Sequence, residues 1–554
     1  MKPYFNSISG KSKSDIITLD GGLNTCTDKS SIRDSQLQFM MNVTPINSPT
    51  LSTRSNRTSM AWFLEDTTTY GSKEVLAMFA SSEKILYTIE GKTDDTEFGY
   101  VYRHKTLSPM KREYVGKVQY STKYSITECK DSSFSYIIIS TLQKRYSFKE
   151  TWTDLEPTVI VECEDNNAGI VCEHKNRLWV AYGNMLKFTK LREFSNFTIT
   201  EKDNESAGEI QVTTGKGNIT ALVSYDDKLM VFCDRSWHVV YGDSPYSEVN
   251  QFSLVDMNDG VGCISDKTVT VCDRKLFWID RDLGVYRYNG SYVYKVSEPN
   301  STSTYAQYGG IKNIGITSVN KKKIEMTSYD NYVYIACRLG LPLTEEKGNN
   351  DTLLVYDAKN KVWWAEDGAF SHIIKWDTDV NTPYYRETDY LIGSGYDGDI
   401  LILNLYQNSG EDTLFNFTTR GFEQKPIEYK FETKTWNLGQ VKRKKTLTNL
   451  WFQANANAKV AVCDYWSEHN PWDKSLDLDK DYLIVGKLLP TVVRHDVKKQ
   501  RTYSHEGGER QCAYIPRMYM QKINAFSIRV EGSGKAEFYM LEKEWRIRWR
   551  YMIM

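Results

Sequence analysis

Basic side chains in short runs are the residues of this chain best suited to binding chemistry. Lys321, Lys322 and Lys323 form one run; Lys442, Arg443, Lys444 and Lys445 form a second; Lys498 and Lys499 with Arg501 form a third. Ammonium and guanidinium groups hold a phosphate backbone through screened contacts that ignore sequence. A single such loop is ordinarily a solvated face, whereas copies of it arranged around a pore would line that pore with positive charge. The stretch from Trp545 to Tyr551 alternates strictly, placing aromatic residues and Ile547 on one face and Arg546, Arg548 and Arg550 on the other. A strand of that pattern packs one side on a core and offers guanidinium groups from the other.

Catalytic and metal-binding patterns are thinner. The sequence has no Walker-type phosphate loop, no HExxH and no GxSxG elbow, and Gly260-Val261-Gly262 continues without the third glycine of a dinucleotide fingerprint. Cys233 and His238 lie close in sequence but within one expected hairpin, where packing is the simpler role than ligation by three or four convergent groups. Asp477, Asp479 and Asp481 open like a calcium loop, yet Tyr482 and Leu488 stand where that loop needs glycine and a bidentate glutamate. Asp280 to Gly284 reads as a turn between two strands. No catalytic residue, metal ligand or cofactor is therefore expected.

The totals agree with a large folded scaffold. The 554 residues carry 13% aromatics, with 37 Tyr and 14 Trp, and 70 basic against 71 acidic residues, a net charge of −1. Near-neutrality argues against a surface that is polyanion-binding throughout and leaves only local patches. The N-terminus lacks an apolar signal region and no run of eighteen apolar residues occurs, so synthesis in a cytoplasm and no membrane-spanning segment are expected. The ten cysteines are scattered singly and read as reduced, mostly buried thiols.

The elements that must position these residues are short antiparallel strands. From Ile219 to Tyr294 the same phrase occurs twice: a polar turn, an apolar run, a second turn, then an alternating run. Its core run recurs at Ile85–Ile89, Tyr136–Ile139, Leu178–Ala181, Leu229–Phe232, Leu276–Ile279, Tyr332–Ala336 and Tyr390–Ile392. Hairpin partners are expected at Met185–Phe188, Trp237–Tyr241, Val285–Tyr288, Val362–Trp364 and Ile400–Leu405. The spacing of roughly 40 to 57 residues is that of four-stranded propeller blades and implies about seven of them, six to eight. An irregular array of sandwiches is the alternative. Residues 1–70, rich in Ser, Thr and Asn, read as an extended N-terminal arm that must wrap over other structure. The fold class is thus all-β: the arm, a β-propeller over 71–408, and a C-terminal antiparallel β-sandwich over 409–554.

Gly21-Gly22-Leu23-Asn24-Thr25, followed by Asn42-Val43 and by Leu51 with Arg54, resembles the opening of the tail nozzle proteins of short-tailed bacteriophages, also called tail hub, tail tubular or stabilization proteins. Lys228 to Phe232, Ser236, Gly260 to Cys263 and Phe277 to Gly290 are similar to that family's pair of central blades. The resemblance covers most of 15–405 in order and is carried by turns and strands.

The resemblance implies a virion structural protein, a homohexameric ring at the distal end of a short tail. Its channel would pass duplex DNA during ejection, with transient non-specific contacts. Its partners would be other copies of itself, the adaptor and portal-proximal proteins, and fibres or distal tail proteins. Leu23, Asn24, the basic runs at 321–323 and 442–445, and Arg546, Arg548 and Arg550 are the expected channel or interface residues. The aromatic content also allows a receptor-binding or fibre-type virion protein that recognises host glycans. A propeller glycosidase or sialidase is the third reading, and the Ser-x-Asp-x-Gly-x-Thr-Trp box of sialidases is missing.

Overall fold

In the computed structural model each recurring phrase folds as one small sheet. The described residues are 13–64, 74–92, 95–105, 110–150, 159–163, 167–199, 203–212, 216–298, 311, 321, 323–339, 349–377, 389–405, 409–438, 445–464, 483–488, 493–496, 501–504, 511–514, 521–523 and 525–547.

The first blade is Val75–Ala80, Leu86–Lys92, Asp95–Lys105 and Lys111–Gln119. The second is Ser125–Lys130, Ser135–Ser140, Arg145–Glu150 and Val161–Glu162, and the third Ile170–His174, Arg177–Tyr182, Met185–Phe188 and Gly208–Gln211. Ile219–Tyr225, Lys228–Cys233, Ser236–Tyr241 and Ser253–Asp259 make the fourth; Val269–Cys272, Lys275–Ile279, Val285–Tyr288 and Val293–Lys295 the fifth. The sixth is Glu325–Tyr329, Tyr332–Cys337, Thr352–Asp357 and Val362–Asp367. All seven apolar core runs fall on the second strand of a blade, the most enclosed position, where both faces meet neighbouring sheets. Val362–Trp364 lies in the fourth strand and forms a hairpin with Thr352–Asp357, which itself pairs with Tyr332–Cys337.

The hairpin turns carry positive φ at Asp226 and Asp227 and at Asp273 and Arg274, the twist that two-residue turns between antiparallel strands require. Buried Trp179, Trp237, Trp278, Trp363 and Trp376 fill the wedges between blades. Apolar clusters join the first blade to the second, the second to the third, the third to the fourth and the fourth to the fifth. A larger cluster joins the fifth, sixth and seventh, and another joins the seventh back to the first. The ring is closed, and the first strand of each blade lies innermost, that of the seventh beside that of the first.

The seventh blade is built differently. Phe370–Asp377, Asp389–Gly395 and Ile400–Leu405 are followed in the sheet by Asn56–Ser59, a strand from the start of the chain, and then by the hairpin Glu411–Asn416 and Gly421–Pro426. Ser59 pairs with Leu401 and Thr58 with Ile402. The boundary expected at 408 therefore falls after Pro426, since 409–426 extend the last blade.

The sandwich is likewise composite. One sheet runs Val43–Thr44, Leu51–Thr53, Glu537–Ile547, Lys445–Asn455 and Gln511–Tyr514, with Lys13–Ile17 also along Glu537–Ile547 and Gln521–Ile523 along Lys445–Asn455. The other runs Leu37–Met41, Glu428–Thr433, Phe526–Ser533, Ala458–Asp464 and Leu483–Leu488. The described part of the arm thus gives four strands to the sandwich and one to the seventh blade, with its Leu19, Leu23, Leu37, Met40, Val43 and Leu51 fully buried. It gains its burial from partners hundreds of residues away, which is how a Ser- and Asn-rich segment offsets its ordering entropy. The core of the sandwich is continuous with that of the fifth to seventh blades.

Candidate functional site

The arm motif converges on one buried node between propeller and sandwich. Gly22 has φ +71, and a Cβ there would lie 2.1 Å from Val362 Cγ1 and 2.8 Å from the Trp363 carbonyl oxygen. Only glycine lets the arm come this close, so that Leu23 N donates to Trp363 O at 2.7 Å. Asn24 turns the chain by donating through Nδ2 to Gln36 Oε1 (2.9 Å) and accepting from Cys26 N (3.1 Å). Asn42, at φ 59, donates to Glu428 O of the sandwich and accepts at Oδ1 from Asp367 N of the sixth blade and from Arg54 Nε.

Arg54 completes the node. Its guanidinium is 2% exposed and holds Asp412 in a two-pronged pair, 2.8 Å from Nη1 and 2.6 Å from Nη2. It also reaches Asp367 at 3.1 Å, a carboxylate that Arg57 shares at 3.0 Å. Burial opposes the charge on Arg54, but Asp412 and Asp367 outweigh it and hold the guanidinium above its ordinary value. Beside the node lies a cleft of about 660 Å³, lined by Asp367, Tyr396, Asp397, Asp412 and Glu423 among others.

A second polar cluster sits at the mouth of the propeller axis, where the inner strands begin. Glu325 of the sixth blade accepts at Oε1 from Lys267 Nζ (2.8 Å), lies 2.6 Å from His372 Nδ1, and accepts at Oε2 from Ile373 N (3.0 Å). Burial would raise its carboxyl, yet the charges of His372 and Lys267 hold it down to about 2. Next to it, Lys123 Nζ meets Asp266 Oδ1 at 3.0 Å. Lys123 precedes the inner strand of the second blade and Asp266 that of the fifth, so this ion pair spans the shaft from one side of the ring to the other.

The fourth blade holds a relay of serine-hydrolase type. Ser236 Oγ lies 3.0 Å from His238 Nε2, and His238 Nδ1 lies 2.5 Å from Asp256 Oδ1. The order of exposure is inverted relative to a nucleophilic site: Asp256 is half exposed while Ser236 and His238 are 1% and 0% exposed. No acyl group can reach Oγ, and the arrangement serves to satisfy a buried imidazole. His238 is thus bonded to Ser236 and Asp256, and among the described residues no group of His, Cys, Asp and Glu is placed to hold a metal ion.

The expected interface residues fare unequally. Leu23, Asn24 and Lys445 are corrected: all three are buried inside the chain, Lys445 at 1% exposure in the sandwich sheet, where desolvation lowers its ammonium. A single sequence cannot show that a basic run ends inside a strand. Lys321 donates to the Arg281 carbonyl at 2.6 Å, and exposed Lys323 donates to Asn349 Oδ1 at 2.8 Å. Arg546 is half-buried opposite Thr446. Lys322, Lys442, Arg443, Lys444, Arg548 and Arg550 lie outside the described residues, as do the loop at 477–481 and the basic cluster Lys498 and Lys499. Asp412, Asp367, Glu325 and Lys123 were missed because carboxylates and lysines scattered over 300 residues carry no local signal. Asn42 and Arg54 had one, since they belong to the motif.

No protein-family model matches the sequence, and no curated protein matches it. Among solved structures the chain is similar to YCF48 bound to D1 peptide, at 9% identity over 61% of this chain and 94% of that one, with a TM-score of 0.33. It is also similar to an exo-beta-1,3-galactanase from Phanerochaete chrysosporium with galactose, at 8% identity over 87% of this chain and 98% of that one, TM-score 0.26. A third similarity is to a protein from Desulfotomaculum acetoxidans DSM 771, at 10% identity over 50% of this chain and 89% of that one, TM-score 0.28.

Proposed function

We propose that this chain is a structural, non-enzymatic virion protein that forms the nozzle or hub ring of a short phage tail, a ring of six copies. The observation that carries this reading is the buried node. The residues of the arm motif, Gly22, Leu23, Asn42 and Arg54, lock a propeller and a sandwich into one body, as a load-carrying ring subunit needs. The closed shaft bears on where DNA would pass. Lys123 and Asp266 span the propeller axis, so a passage of duplex width, about 20 Å, has to lie between copies rather than through any one. A two-domain body offers the two different patches that a head-to-tail ring requires.

The test is symmetry-resolved imaging of purified particles together with the mass of the isolated chain's assemblies by light scattering. A six-fold ring enclosing a duplex-wide channel at the tail tip is the expected result. Finding the chain only in peripheral fibres, or absent from the particle, would overturn the proposal.

A further inference from the structure

The outer half of the first blade presents aromatic rings and lysines on one sheet face. Phe98, Tyr100 and Tyr102 alternate along Asp95–Lys105, so they share a face at a repeat of about 6.7 Å. On the neighbouring strand Tyr114 lies opposite Tyr102, and Lys117 opposite Tyr100. The Tyr114 ring centroid is 6.2 Å from that of Tyr100 and 5.8 Å from that of Tyr102. Tyr114 is 56% exposed and the other three rings are half-buried.

The platform is braced by Arg112 and Asp95 and carries two lysines. Arg112, with only 5% of its side chain exposed, stacks on the Tyr102 ring at 3.7 Å and pairs with Glu90 at 2.6 Å. Tyr100 Oη donates to Asp95 Oδ2 at 2.6 Å, which fixes a second ring. Lys92 and Lys117 are both exposed, with their ammonium groups 3.6 Å from the Tyr100 ring and 3.8 Å from the Phe98 ring. A cleft of about 530 Å³ continues the face along Tyr114, Lys117 and Gln119 toward Val159 of the second blade.

We propose that this face binds single-stranded nucleic acid, a base stacking on exposed Tyr114 while the phosphates draw Lys92 and Lys117 off the Tyr100 and Phe98 rings they cap, which frees those rings for the next bases. The chemistry of such sites is aromatic rings for bases of any sequence, interleaved with cations for the backbone. Tyr100, already fixed by Asp95, loses little freedom on binding. A duplex hides its base faces, so the preference is for single strands. This inference stands apart from the ring proposal, because it concerns one blade of one copy.

The experiment titrates the full chain with a fluorescent oligothymidine of about 20 nucleotides and follows anisotropy across a salt series. Binding that duplex DNA of equal length does not compete away is expected. With two phosphate contacts the slope of log K on log salt should be about −1.4. Lys92→Gln and Lys117→Gln should each flatten that slope by about 0.7, and Tyr114→Ala should weaken binding about tenfold. Tyr114 is exposed, so its variant keeps the fold, and an unchanged circular dichroism spectrum checks this. No binding at low salt, unaltered affinity in Tyr114→Ala, or stronger binding of a sulfated polysaccharide that ignores Tyr114→Ala would each overturn the proposal, the last assigning the face to polysaccharide.

Discussion

The first six blades and the sandwich solve the same problem, burying both faces of small antiparallel sheets, by opposite means. The fourth blade is complete within Ile219 to Asp259, and every pairing in it joins neighbours along the chain. The sandwich pairs Lys13–Ile17 with Glu537–Ile547 and Leu37–Met41 with Glu428–Thr433. Closing a hairpin fixes a few residues, whereas bringing chain ends together costs loop entropy that grows with the logarithm of the span. The blades can therefore form one hairpin at a time, while the sandwich and the seventh blade wait for long-range contacts. Besides those pairings, the long-range contacts include a buried polar node of Asn42, Arg54 and Asp412.

Removing residues 1–59 should break the comparison most severely, since it takes away strands of both sandwich sheets and the closing strand of the seventh blade. Loss of soluble, cooperatively folded protein is expected, scored by size-exclusion chromatography and circular dichroism. A stable propeller after this deletion would show that local hairpins suffice to close the ring. Arg54→Ala comes next. It leaves buried Asp412 without its guanidinium partner, while half-exposed Asp367 keeps Arg57, and should cost about 3–5 kcal/mol, read as a lower denaturant midpoint for propeller and sandwich together. Separate transitions, with only one shifted, would mean that the node does not couple them.

Glu325→Gln probes a contact inside the propeller and has a defined pH signature. The folded carboxyl, near 2, lies below its ordinary value of 4.5, so its contribution is fully present above about pH 4.5 and is lost as pH falls toward 2. The stability gap between wild type and variant should be on the order of 3 kcal/mol at neutral pH and shrink across that window. A gap that does not change with pH would assign the loss to packing. The smallest effect is expected for Lys123→Gln. This partly exposed pair should contribute less than about 1 kcal/mol, more at low salt, as measured by thermal unfolding across a salt series.

The blade rhythm was readable because a hairpin writes its own pattern: seven apolar runs bounded by polar turn residues fell on the seven second strands. The arm's motif residues were readable as a pattern but not as a place. Gly22 and Leu23 gave no sign that they dock on Trp363, nor Asn42 that it bridges two domains. Lys445 looked like part of an exposed basic loop because four consecutive cations carry no periodicity that separates strand from turn.

The sequence by itself determined the all-β class, the number of repeats and the strands at the heart of each blade, because those follow from alternation and turn chemistry within a dozen residues. The tertiary structure decided where the arm goes, which strand closes the last blade, that an ion pair spans the axis, and which charges are buried. Each of these depends on groups brought together across tens to hundreds of residues, and their pairing energies exist only once the chain has folded around them.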